Sequence, residues 1–338
     1  MSGHTVGGDD TFTGQIGPNS NFVFYGDAGK SMFGHAHGGN DSFTASGSEY
    51  NNYLYGDAGG DMSGRAAGGN DSFAVSGSNP FNFVFGDAGG NMSGFARGGD
   101  DTFIKTGLGG ASAFYGDARG DMSDHTHGGN DTFQALSLIT ENLFFGDAGG
   151  SMGDRAVGGD DTYIGGNASS NLLNRAYGDA STMSGHAKGG NDTLIGGNDP
   201  SPPPAGSYET VLVGDARTMS GHASGGNDRL ISGTGNDDMW GDAQVMLGFA
   251  KGGNDTFVFN SSNGHDKIEN FGQGVAAVGA SLGTDKIDVS ALGIRNFDQL
   301  AVSAFDPSTH ESTITFSQGN DVVVHSQIAL TSHDFLFA

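Results

Sequence analysis

The 338-residue sequence has no cysteine, a single tryptophan, seven prolines and only 14 lysines and arginines. Without cysteine there is neither a disulfide framework nor a thiolate metal site, so an extracellular fold would need other staples. No apolar run approaches the roughly 18 residues needed to cross a bilayer, and the first residues lack the basic-then-apolar order of a signal peptide. Against the few basic residues stand 39 acidic ones, for a formal net charge of −25. Such a chain repels phosphate backbones and anionic membranes, which makes nucleic acid and lipid surfaces poor direct partners. Glutamate is scarce too, because 34 of the 39 acidic residues are aspartate. Glutamate would serve solubility equally well; short aspartate carboxylates beside glycine suit turns and oxygen cages for hard cations.

What the sequence has in abundance is glycine, 63 residues, and a repeat. The block GG[ND]D recurs nine times, its last residue being Asp10, Asp41, Asp71, Asp101, Asp131, Asp161, Asp192, Asp228 and Asp255. Successive steps are 31, 30, 30, 30, 30, 31, 36 and 27 residues. A second block, in most copies an aromatic followed by GDA, supplies Asp27, Asp57, Asp87, Asp117, Asp147, Asp179, Asp215 and Asp242. A third supplies nine of the ten methionines, from Met1 and Met32 to Met246. The shortest copy, residues 225–251, divides into three nonapeptides, GGNDRLISG, TGNDDMWGD and AQVMLGFAK, and the longest bulges at Asp199–Pro204, where proline forbids ladder hydrogen bonds.

Each column of the aligned repeat has a physical meaning. Two residues beyond the motif aspartate stands a large apolar residue, from Phe12 and Phe43 to Leu230 and Phe257, and strand alternation turns that column inward. The Ser/Thr column between them, broken only by Arg229, faces out. The second nonapeptide repeats the inward column with Phe24, Leu54, Val84, Phe114, Phe144, Ala176, Leu212 and Met239. Where its aspartate would stand only Asp237 is acidic, with Asn52, Asn82, Asn142 and Asn174 as weaker oxygen donors. Methionine takes that place in the third nonapeptide, so this side closes by packing. Nothing shows a 3.6-residue period, which disfavours helix. The expected arrangement is one repeat per turn with up to three short strands; the alternative is a flattened roll of about 18 residues per turn with the methionine segment as a side loop.

GGNDRL (225–230) and TGNDDM (234–239) resemble the nonapeptide GGxGxDxUx of the RTX (repeats-in-toxin) family. The resemblance implies an all-β, right-handed parallel β-solenoid, or β-roll, here of about eight to nine turns over residues 1–257, with several bound Ca²⁺ ions. The chemistry stands without the name. Calcium takes six to eight oxygens from carboxylates and carbonyls, and stacked turns place successive aspartates roughly 4.8 Å apart, a repulsive column unless cations lie between. The Asp10–Asp255 series and Asp237 are the expected ligands. The Asp27–Asp242 series either completes those sites or only accepts hydrogen bonds from turn amides, the role that could also be claimed for every motif aspartate.

After Phe257 glycine thins out. Asp285-Lys286-Ile287-Asp288, Leu292-Gly293-Ile294 and Asp334-Phe335-Leu336-Phe337 resemble the C-terminal part of serralysin-type secreted proteins. That resemblance implies, for residues 258–338, a β cap that also carries an uncleaved signal for type I export machinery, and hence a secreted or cell-surface protein. Thr313–Phe316 and Val322–Val324 read as a closing strand pair. No enzyme is expected: His310-Glu311 lacks the second histidine of HExxH.

Four further readings compete. His4, His35, His125, His186 and His222, with His37 and His127, could hold Zn²⁺ or Cu²⁺, but Arg65, Phe95, Arg155 and Phe249 interrupt the column. The Ser/Thr face could order ice, although a second threonine column persists only at Thr13 and Thr44. The aromatics before GDA, from Tyr25 to Trp240, either wrap a corner and pack or form an exposed stripe for a surface or matrix glycan or protein. Finally, Met1 falls inside the third nonapeptide, so the chain could be a non-catalytic part of a larger secreted enzyme or toxin, or could self-associate through an uncapped end.

Overall fold

The computed structural model describes residues 1–16, 21–47, 51–77, 81–107, 111–136, 141–166, 174–198, 210–274 and 279–338. The loop at 199–204 lies outside the described residues. The fold is a parallel β-solenoid of about eight turns. Pairing follows the repeat: Phe43 lies beside Phe73, Phe73 beside Phe103, and Phe103 beside Phe133, all in parallel strands. Each repeat is therefore one turn with three strands, and each strand belongs to a different sheet.

The first sheet follows the GG[ND]D corner, from Thr11–Ile16 to the last strand Phe335–Leu336, and has 11 strands. The second, 12 strands, contains Phe22–Tyr25, Asn52–Tyr55 and their successors. The third carries the methionines: Met32–Gly34 pairs with Met62–Gly64, Met92 and Met122 continue as single bridges, and Ala148–Met152 begins a run of four strands. The flattened roll is thereby excluded, because the methionine segment is a third wall rather than a side loop. The reason is its apolar content: methionines from Met32 to Met219 are fully buried.

Two apolar cores result. Between the first and second sheets, Phe43, Phe73, Phe103, Phe133 and Tyr163 meet Leu54, Val84, Phe114 and Phe144. Rings in successive turns stack at 4.8 to 5.2 Å, as in Phe43–Phe73 and Phe133–Tyr163. Under the third sheet, the methionines pack among alanines from the GDA block and from the turn after Met, such as Ala88, Met92 and Ala96. The Ser/Thr column faces outward, as expected, with Thr102 exposed.

The ladders continue beyond Phe257. Lys286–Asp288 pairs in parallel with Thr256–Val258, and His265–Phe271 with Asp237–Trp240. The antiparallel pair Glu311–Ser317 and Asn320–Ser326 then covers the end, burying Ile314, Val322 and Val324 in the aromatic core. Among the described residues no helix is long and apolar enough to cross a membrane.

Phe103 is fully buried in the middle of its stack. Phe103→Ala is expected to cost about 3–5 kcal/mol of stability, measured by denaturant unfolding of the folded protein, whereas Thr102→Ala on the outer face of the same strand should change it by under about 0.5 kcal/mol.

Candidate metal centre

Both aspartate columns stand where the chain passes between the two cores. Each GDA aspartate leaves the second sheet for the third, and each GG[ND]D aspartate leaves the third for the first. The columns run side by side as an acidic seam. Only the first turn departs from this, with Asp10 exposed and Asp27 half-buried. From Asp41 to Asp255 and from Asp57 to Asp242, the aspartates of both columns are at most 2 % exposed.

Within the first column, one carboxylate oxygen of each aspartate accepts the backbone N–H of its counterpart in the preceding turn. Asp71 Oδ1 accepts from Asp41 at 2.6 Å, Asp101 from Asp71 at 2.6 Å and Asp228 from Asp192 at 2.8 Å. The other oxygen, Oδ2, is buried without a hydrogen-bond partner in all eight aspartates from Asp41 to Asp255. In the second column, a carboxylate oxygen accepts from the second glycine of GG[ND]D, as Asp57 from Gly69 at 2.9 Å and Asp215 from Gly226 at 2.7 Å. Asp57, Asp87, Asp147, Asp179, Asp215 and Asp242 each keep one oxygen buried and unpartnered. Both series thus do what turn-capping aspartates do, and both have an acceptor left over.

Glycine is demanded here by space. A Cβ on Gly86 would overlap both Oδ2 of Asp101 and the carbonyl oxygen of Gly116, so those two oxygens crowd the same point. The same pair, a motif carboxylate and the carbonyl of the next GDA glycine, meets at Gly26, Gly56, Gly116, Gly146, Gly178 and Gly214. Nitrogen and sulfur donors are missing from the seam. This all-oxygen set with orphaned carboxylates fits a hard divalent cation such as calcium. Among the described residues no three His, Cys, Asp or Glu side chains converge on one point as in a centre built from side chains alone. A cation in the seam would take much of its shell from backbone carbonyls.

The electrostatics are one-sided. None of the six ion pairs between described residues reaches either column. Burial, followed by repulsion from Asp101 and Asp117, pushes the Asp87 carboxyl well above the usual range. Burial likewise lifts Asp71 to about 8 and Asp179 to about 7, against the opposing pull of backbone hydrogen bonds. Successive second-column carboxylates come within hydrogen-bonding reach of each other, as Asp57 with Asp87 and Asp147 with Asp179. Two carboxylates that close require a proton or a cation between them.

Asp237 sits apart, at the corner between the first and second sheets. It is fully buried, accepts from Gly233 N–H at 2.8 Å and keeps Oδ1 unpartnered. Asp266 lies one turn further on, accepting from Asp237 N–H at 2.9 Å and from the Ser232 hydroxyl at 2.8 Å. Asp285 extends the first column, accepting from Asp255 N–H at 3.0 Å and from Gly272 N–H at 2.6 Å. Sequence reasoning missed both residues, though His265-Asp266 and Thr284-Asp285 each follow a glycine as the motif aspartates do. The remaining second-sheet positions form a buried amide ladder in which Asn52 donates to Asn82 at 2.6 Å and Asn82 to Ser112 at 3.1 Å.

Most aromatics before GDA pack: Tyr55, Phe85, Phe145 and Tyr177 are buried and stacked, while Tyr115 and Trp240 are half-buried and Tyr25 is exposed, so the column makes no continuous exposed stripe. The histidines on the methionine edge stack with their neighbours, His4 on His35 at 4.7 Å and Phe95 on His125 at 5.2 Å. The chain matches no family model, no curated protein and no solved structure.

Carboxyls whose folded pKa lies above the unfolded value near 3.8 favour the folded chain when protonated. Without divalent cations, their contribution is complete below about pH 4 and disappears as the pH rises through the 7–8 of Asp179 and Asp71. Thermal unfolding in chelator should show a midpoint that falls between about pH 5 and pH 8; a midpoint that rises over that window contradicts the seam as described.

Proposed function

We propose that the protein is a secreted calcium-binding β-solenoid that folds on binding Ca²⁺ and serves outside the cell as a non-catalytic structural or adhesive module. The observation that carries this reading is the set of buried, unpartnered carboxylate oxygens repeated turn after turn along a seam with no basic residue. Neutralising such a seam with protons alone would leave the fold unstable near neutral pH, whereas divalent cations neutralise it and complete its coordination. The ligands are Asp41 to Asp255 and Asp57 to Asp242 with the glycine carbonyls beside them, and separately Asp237. Residues 258–338, through their resemblance to serralysin-type C-termini, serve as cap and as the type I export signal. Secretion unfolded into calcium-rich surroundings suits a chain whose acidic seam cannot close without cations.

A cation site held at 100-fold over its dissociation constant adds roughly 2.7 kcal/mol. Circular dichroism in chelator near pH 7.5 is expected to show a largely unfolded chain, with a cooperative gain of β signal on adding millimolar calcium. The same spectrum with and without chelator at that pH refutes the reading. Asp101→Asn separates the two roles of a seam carboxylate, since the amide oxygen can still accept the Asp71 N–H but carries no charge. Calcium dependence should weaken in that variant and remain unchanged in Asp100→Asn, whose side chain stands in the exposed ladder. Equal behaviour of the two variants shows that the buried column only caps turns.

A further inference from the structure

The outer face of the second sheet carries mostly apolar residues in its early turns, Val23, Tyr53, Phe83, Ala113 and Leu143. In the later turns the same register column reads Arg175, Val211, Asp238 and Lys267. Val211, buried, lies at the floor between Arg175 and Asp238, so the surface dips there. Arg175 and Asp238 form opposite walls two rungs apart, roughly 10 Å at the spacing of adjacent strands. The dip is part of an open groove of about 510 Å³. Tyr177 and Leu143 line it on one side, and Trp240, the chain's single tryptophan, stands half-buried on the other. Arg217 and Gln244 reach it from the third sheet.

The polar groups of this groove are not used up by the fold. Asp238 lines the groove with a half-buried side chain, of which Oδ1 is turned inward without a hydrogen-bond partner. Its neighbour Lys267 is engaged at 2.9 Å by Glu269. Arg175 pairs with Glu141 at 3.0 Å, whereas no carboxylate among the described residues forms an ion pair with exposed Arg217. An aromatic platform beside a carboxylate acceptor and a guanidinium fork is the chemistry that holds a sugar ring: the ring's C–H face lies on the indole, and adjacent hydroxyls donate to the carboxylate and accept from arginine. A fatty or purely aromatic ligand would cover Arg217 and Asp238 without hydrogen-bonding them, at a cost.

We infer that this groove is a saccharide-binding site, with a pyranose ring stacked on Trp240, hydrogen-bonded by Asp238 and Arg217, and bordered by Gln244. The inference gives the adhesive role proposed above a ligand class, and it needs the folded solenoid. Trp240 makes binding directly observable, because all tryptophan emission of the full chain comes from the groove. In calcium, with folding checked by circular dichroism, the protein would be titrated with cellobiose, lactose, mannobiose and digalacturonate. A saturable change in emission is expected with at least one of them, the first three reporting a neutral sugar and the last a uronate. Asp238→Ala and Arg217→Ala should each weaken that binding about tenfold or more while leaving the β signal intact, and Arg65→Ala on the distant methionine edge should not alter it.

No saturable change with any of the four sugars up to about 10 mM, ten times a millimolar dissociation constant, overturns the inference, as does undiminished affinity in both groove variants. Repeating the titration in chelator separates this inference from the one beneath it. If β signal and sugar binding both survive there, the calcium reading fails and the groove stands; if the protein folds only with calcium and still binds no sugar, the groove alone fails.

Discussion

Like charges buried side by side are the constraint on which this structure turns. A carboxylate taken out of water is expensive, and a row of them with no basic partner more so. The solenoid accepts this at every turn, because the corner that reverses the chain between its two cores is closed by the aspartates themselves. One oxygen of each is occupied by a backbone N–H that would otherwise be orphaned in the interior, and the other is left facing its neighbours. The geometry that satisfies the backbone is the geometry that concentrates the charge.

The rest of the repeat follows from keeping that seam closed. Glycines flank it because even a methyl group would collide with a carboxylate oxygen, as at Gly86 with Asp101 and at Gly98 with Asp117. Alanine follows each GDA aspartate because the third sheet must come down close to the seam, and methionine fills the irregular space left beneath it. On the other side, stacked phenylalanines supply the bulk of the apolar burial, with ring spacings set by the distance between strands. Each turn contacts chiefly its neighbours, so stability accumulates turn by turn, as in other one-dimensional repeat proteins. Asp285 ends the first column with both oxygens occupied, by Asp255 and by Gly272, so the cap closes the acidic seam as well as the aromatic core.

Much of this is legible in the sequence because a solenoid converts sequence period directly into spatial register. The inward positions of Phe103 and Phe114, the outward position of Thr102 and the closing pair around Ile314 and Val323 all follow from the period and strand alternation. The choice between a three-walled coil and a flattened roll did not follow, because methionine and alanine are as compatible with a packed loop as with a strand. Only the pairing of Met62 with Met92 and Met152 with Met183 decides it. Asp266 and Asp285 escaped notice because their motifs keep one glycine and the aspartate but lose the rest of GG[ND]D. The groove over Val211 could not be foreseen at all. Arg175, Val211 and Asp238 are separated by 36 and 27 residues, and they become neighbours only because one turn of the coil, long or short, returns to the same register.

Proton and cation would compete for the same unpartnered oxygens, and the two outcomes would differ in what they build. A proton shared between Asp57 and Asp87 removes their repulsion but leaves the crowded carbonyl oxygens of the glycine corners without a partner. A divalent cation would remove the repulsion and engage those carbonyls, and so would link turns that protonation only relieves. The orphaned carboxylate and the crowded carbonyl recur together at Gly26, Gly56 and their successors, and a single ion lodged there would contact two turns at once. Binding in one turn would then prepare the next, since the motif aspartate whose Oδ2 would meet the ion is held in place through its Oδ1 by the adjacent turn's N–H. Cooperative ordering along the coil would therefore follow from hydrogen bonds already present in the fold, and it would ask nothing further of the sequence than the repetition of one aspartate per corner.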